Sequence, residues 1–267
     1  LFRSLMTPCA RNQAGNEERF SRQEDPGSDF PFYNGVPVSI SNRQWLFVMA
    51  MVVVGFLVLV SPIHWPGGTW GQFIPALLMP GIPLAALAYV APDAWKSIFG
   101  KVAGREVRLM FGFALLNIVV SMAVGGIVHA LIDVTPNSST AQLGDLDMAG
   151  RIAFFAKTLP QLFGEEVITL LPFLALLQWF SKGFGVGRKR AIIGAWLASS
   201  IIFGLIHLPT YDWNLVQCIV IIGSARMVLT LPWILTKNLW VSTGAHIIND
   251  WLLFLMALLG AGLVGKV

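Results

Sequence analysis

From residue 45 onward the chain alternates long apolar runs with short polar connections. Seven runs approach or exceed the ~17 to 25 residues needed to cross a bilayer. They are Trp45 to Val60, Phe73 to Val90, Leu109 to Ile132, Ile152 to Phe180, Ala191 to Leu208, Leu215 to Leu235 and Leu239 to Val264. The pattern predicts an all-α fold, a polytopic transmembrane helical bundle of about seven spans, with eight possible, over residues 44–267. Residues 1–43 are polar and rich in Arg, Asp, Glu, Gly and Pro, and read as a cytoplasmic or interfacial tail.

Composition agrees with the pattern. With 55% hydrophobic and 12% charged residues and a mean hydropathy of +0.69, the chain has too little polar surface for a soluble globule of its length. Cys9 and Cys218 are the only cysteines, so neither a disulfide framework nor a thiolate metal site is expected. No base-reading or phosphate-cradling motif accompanies the net charge of +4. The expected surroundings are therefore the lipid bilayer and a membrane-associated peptide or protein, with no nucleic acid.

Placement of the basic residues orients the spans. Arg3, Arg11, Arg19, Arg22 and Arg43 precede the first span; Lys96, Lys101, Arg105 and Arg108 follow the second; Lys182, Arg188, Lys189 and Arg190 follow the fourth; Lys237 follows the sixth. Between them, Pro62 to Gln72 has no charge, and the connection from Asp133 to Gly150 carries three aspartates. The positive-inside rule puts the N-terminus in the cytoplasm of a cell (plasma or inner) membrane and the C-terminus outside. Trp65, Trp70, Trp213 and Trp240 fall near span ends, as an interfacial aromatic belt requires.

Polar residues inside the spans carry the candidate chemistry, because a charge at bilayer depth is costly and marks function. Glu165 and Glu166 lie in the fourth span, where Lys157 is the only other charge, between Pro160 and Pro172. Proline inside a helix removes a backbone hydrogen bond, so a bend that opens a water-accessible cavity is expected. Adjacent helical residues point ~100° apart, so one glutamate faces the site and the other a structural partner. Phe203 and His207 share a face of the fifth span, as His246, Asn249 and Asp250 do in the seventh. The second group suits an oxyanion site, a metal site or a structural polar cluster. Arg226 is the lone charge in the sixth span and needs a carboxylate partner. His129 has no polar neighbour at helical spacing and is assigned to structure.

Together these residues resemble the CPBP family of intramembrane proteases, which includes the CAAX prenyl endopeptidases and the Abi relatives linked to bacteriocin processing and self-immunity. That family's pattern is Glu-Glu-x-x-x-Arg, then Phe-x-x-x-His, then His-x-x-x-Asn or Asp. Glu165-Glu166, Phe203-x-x-x-His207 and His246-x-x-x-Asp250 follow in that order, so the resemblance covers about 150–255. One position departs: Leu170 stands where the family has Arg. Either Glu166 is protonated, or Arg226 supplies the missing charge; the second is favoured.

The resemblance implies an endopeptidase that cleaves a membrane-associated or lipidated peptide inside the bundle. Glu165 would be the general base, His207 would position the water, and His246, Asp250 and Asn249 would form the oxyanion site. Phe203 and Arg226 would support them. No cofactor is required by this scheme. In the competing scheme zinc is held by His207, His246 and Glu165. The same residues also suit a catalytically silent immunity or binding protein, or a proton-coupled transporter. One piece of geometry resists: at ~1.5 Å per residue, His207 lies roughly 25 Å from the basic end of its span and His246 about 10 Å from its own. Helix tilt, a break at Pro209 or an incomplete sixth span would be needed to bring them to one depth.

Overall fold

The computed structural model describes residues 40–264, and among them the fold is entirely helical. The helices are α1 (Asn42–Val60), α2 (Phe73–Val90), α3 (Gly104–His129), α4 (Ser138–Asp145), α5 (Met148–Gln178), α6 (Arg188–Ile206), α7 (Gly223–Thr236) and α8 (Leu239–Val264). A π-helical turn, Trp179–Gly183, extends α5, and another, Gln217–Ile222, leads into α7. Seven segments are long and apolar enough to cross a membrane. Helices α2 and α8 have the bounds read from the sequence for the second and seventh runs, and the other spans, with the π-helical turn counted into the sixth, differ by a few residues at one or both ends. The tail read over 1–43 lies outside the described residues up to position 39. At its end Ile40 is buried, and Ser41 caps α1 in a capping box with Gln44.

The connection from Asp133 to Gly150, read as a loop, contains α4 instead. Ser, Thr and Gly give this stretch little intrinsic helicity. The helix is held by its context: Leu143 is fully buried, and Asn137 O accepts bonds from both Thr140 N and Thr140 Oγ1. Asp147 then caps α5, its Oδ1 accepting from Gly150 N at 2.7 Å.

α5 is the axis of the bundle. Of its apolar window 72% is buried, against 17–39% for the other six spans, and α1, α2, α6 and α8 all pack on it. The outer helices keep exposed apolar surface, as Leu46, Val119 and Met122 show. α5 runs as one helix through Pro160 and Pro172. Its 31 residues span about 47 Å at the helical rise, longer than the ~30 Å hydrocarbon core.

Hydrogen bonds join the ends of the bundle in two sets. At one end Gln178 accepts from Trp45 Nε1 (2.8 Å) and donates to Asn42 Oδ1 (2.9 Å). At another turn Asn238 accepts from Gly100 N (2.9 Å) and donates to Lys101 O (3.0 Å). These connections are the basic ones. Two of the remaining connections, bearing Asp133 and Asp212, are joined by a separate set. Asn214 donates to Asp133 O, Gln217 exchanges two bonds with the backbone of Thr135, and Asn137 donates to Tyr211 Oη. The pairing fits an up-and-down array whose basic connections share one end.

Candidate active site

The Glu pair sits in the middle of α5, where α2 comes close. A Cβ on Gly164 would lie 2.9 Å from Met79 Sδ and 3.1 Å from Pro80 Cδ, so the glycine permits that approach. The two carboxylates then diverge as helix geometry demands. Glu166 is 3% exposed, and its Oε1 meets Nη2 of Arg226 at 2.6 Å and Nδ1 of His246 at 2.8 Å. Glu165 is 14% exposed, with Oε2 3.8 Å from His246 Nε2 and Oε1 accepting from Gln161 at 3.4 Å. One carboxylate is spent on structure while the other faces the more open side.

α8 supplies the second wall. His246 and Asp250 are one turn apart, and Asp250 Oδ1 lies 3.6 Å from His246 Nε2. With Nδ1–H donating to Glu166, His246 presents Nε2 between Glu165 and Asp250. This is the arrangement in which a buried carboxylate fixes an imidazole's tautomer and orientation. Asn249 donates through Nδ2 to Asp250 Oδ1 at 2.8 Å.

Arg226 of α7 closes the cluster from behind. Its side chain is fully buried, and its guanidinium carbon stands 5.0 Å from the centroid of the Phe203 ring. Phe203 also packs against His207, with ring centroids 4.6 Å apart and the planes tilted by 44°. His207 caps the end of α6, and its Nδ1 bonds Phe203 O at 2.8 Å, which leaves Nε2 as the ring's free nitrogen.

The family model described as Type II CAAX prenyl endopeptidase Rce1-like matches residues 149–252. That stretch belongs to the CPBP family. No curated protein and no solved structure matches the chain. At the level of the family, the CPBP segment is that of an intramembrane CAAX-type protease. It runs from the start of α5 into α8 and so contains the Glu pair, Phe203, His207, Arg226, His246, Asn249 and Asp250.

Within the CPBP segment the structure gathers Glu165, Glu166, Arg226, His246, Asn249 and Asp250 into one connected cluster. His207 stands apart: among the described residues no hydrogen bond or ion pair joins it to Glu165 or His246, and its link to the cluster runs through Phe203 and Arg226. No group of three or more His, Cys, Asp or Glu side chains among the described residues is arranged to hold a metal ion. His207, His246 and Glu165 are not brought together as such a group. His129 is exposed at the last turn of α3.

Two site neighbours lie outside the residues singled out by sequence. Asn117 of α3, 1% exposed, donates through Nδ2 to Asn249 Oδ1 at 3.0 Å. It is the only amide side chain in its span, which was a legible signal. Tyr211 is buried in the 3₁₀ turn Leu208–Tyr211 that follows His207. Burial pushes its phenol up to about 12, and the charges of Asp250 and Glu165 act in the same direction.

Proposed function

We propose that the protein is an intramembrane endopeptidase in which Glu165 activates water for attack on a peptide bond of a membrane-associated or lipidated substrate. The observation that carries this reading is the unequal glutamate pair. Glu166 is neutralised by Arg226 and bonded to His246, whereas Glu165 is less buried and free of Arg226.

Glu165 accepts a proton from water as the oxygen adds to the carbonyl carbon, and passes it to the leaving amine as the C–N bond breaks. The carbonyl oxygen becomes negative in the tetrahedral intermediate. His246, carrying protons on both nitrogens, donates Nδ1–H to Glu166 and Nε2–H to that oxygen. Asp250 faces the same Nε2, and Asn249 holds Asp250 in place. His207, held by Phe203, offers Nε2 as an acceptor for water at the end of α6. The clustering of basic connections at one end supports a cytoplasmic N-terminus in the cell membrane.

Purified protein is tested on a prenylated CAAX peptide and on membrane-anchored peptides beside Glu165→Gln. Removing a general base is expected to lower kcat by about 10²- to 10⁴-fold. Equal hydrolysis by the variant overturns the assignment.

A further inference from the structure

Asn117 lies on α3, outside the segment that matches the family. That span is the most lipid-exposed of the seven, with 17% of its window buried, yet it turns an amide inward. Ala114 and Asn117, one turn apart, are both buried at 1% or less, and α3 packs against α8 there. Gly244 of α8, where a Cβ would run into the Met110 side chain of α3, lets the two helices approach and brings the Asn117 amide within reach of Asn249.

The resulting bonds have a direction. Asn117 Nδ2 donates to Asn249 Oδ1 at 3.0 Å, Asn249 Nδ2 donates to Asp250 Oδ1 at 2.8 Å, and the same Oδ1 lies 3.6 Å from His246 Nε2. An amide has a donor end and an acceptor end, so fixing Asn249 Oδ1 as an acceptor turns its nitrogen toward the carboxylate. If Asn249 flipped, two oxygens would meet at Asp250. Among the described residues, Asn117 Oδ1 is itself buried with no hydrogen-bond partner. Such an orphan costs stability, so the bond to Asn249 Oδ1 is what holds the Asn117 amide in this orientation.

We infer that Asn117 is a positioning residue that anchors the Asn249 amide in the Asn117–Asn249–Asp250 chain and thereby steadies the carboxylate facing His246. The inference rests on the peptidase reading for its consequence in turnover and on geometry alone for the chain itself. A purely structural role, gluing α3 to α8, would affect stability but would not act through Asp250.

The test uses the full-length protein in proteoliposomes. Asn117→Leu is expected to lower kcat on a membrane-anchored peptide by about tenfold, with KM changed by less than about twofold. In an Asp250→Ala background the same change is expected to add nothing. Proportionate losses in both backgrounds, or full activity in Asn117→Leu, overturn the inference. A second readout needs no turnover: the infrared carboxyl or carboxylate band that disappears in Asp250→Asn. In Asn117→Leu its frequency is expected to shift, because the bond from Asn249 Nδ2 is disturbed, and an unmoved band overturns the inference. A wild-type protein with no hydrolysis whose band still moves in Asn117→Leu rejects the peptidase reading and upholds the positioning role. Should Asn117→Leu fail to fold, Asn117→Thr replaces it in both measurements.

Discussion

Arg226 and Glu166 meet across α7 and α5, Nη2 to Oε1 at 2.6 Å, with both side chains sealed from solvent. The pair resolves the departure at Leu170: the charge that the family pattern carries four residues beyond the second glutamate comes here from another helix. Removing one partner of a buried ion pair costs about 3 to 5 kcal/mol. Arg226→Leu is therefore expected to lower the melting temperature sharply. Adding Glu166→Gln should return about 0.5 to 3 kcal/mol of that loss. Activity should stay low in the double variant, because Glu166 also holds His246 Nδ1. Strictly additive stability losses would sink the pairing as an energetic unit.

The same geometry predicts that the family arginine can no longer be restored by a single change. Leu170 is 3% exposed within the hydrophobic core, and Arg226 already occupies Glu166. Leu170→Arg would bury a second guanidinium with no free carboxylate, at a cost of about 3 to 5 kcal/mol. Leu170→Arg with Arg226→Leu should recover most of that loss, since Glu166 then faces one cation at i,i+4. Thermal unfolding in detergent decides it. A well-tolerated Leu170→Arg would show that the two arginines do not compete.

Much of this arrangement was legible because bilayer residence makes polar residues scarce. Arg226 stood alone in an apolar span, so its need for a carboxylate followed from the sequence before any partner was placed. The i,i+4 spacing likewise placed His246 and Asp250 on one face. What escaped was set by contacts distant in sequence. Asn117 reaches Asn249 across 132 positions, and nothing local in α3 points to α8. α4 escaped because burial of Leu143, rather than propensity, makes it a helix.

Tyr211 provides a pH test outside the spans. Burial first, and then the carboxylates of Asp250 and Glu165, push its phenol up to about 12, from an ordinary value near 10. A group whose folded value lies above its unfolded one adds stability that is fully present below about pH 10 and is lost as pH rises through 12. The difference amounts to about 2 to 3 kcal/mol. Tyr211→Phe should be less stable at neutral pH by about 1 kcal/mol, through the lost bond from Asn137. It should lose less than the wild type between pH 10 and 12. Parallel stability curves across that range would contradict the burial argument.

Gly204 joins the fold to the chemistry. It follows Phe203 in α6, and a Cβ there would lie 2.5 Å from the backbone O of Cys218, in the π-helical turn that leads into α7. Backbone cannot swing aside as a side-chain tip can, so Gly204→Ala must push α6 away from that turn. Overpacking of this kind costs about 1 to 3 kcal/mol. The displacement would also shift Phe203, whose ring touches both the Arg226 guanidinium and the His207 imidazole. The expected outcome is a modest fall in melting temperature with a fall in kcat of about 10- to 100-fold, since a misplacement near 1 Å is enough for that. A second change that shortens Phe203, Phe203→Leu, should then add little to the loss of activity, because the contact it removes is already broken. Gly204→Ala with undiminished kcat would mean that the seating of α6 on the π-helical turn does not control the placement of Phe203.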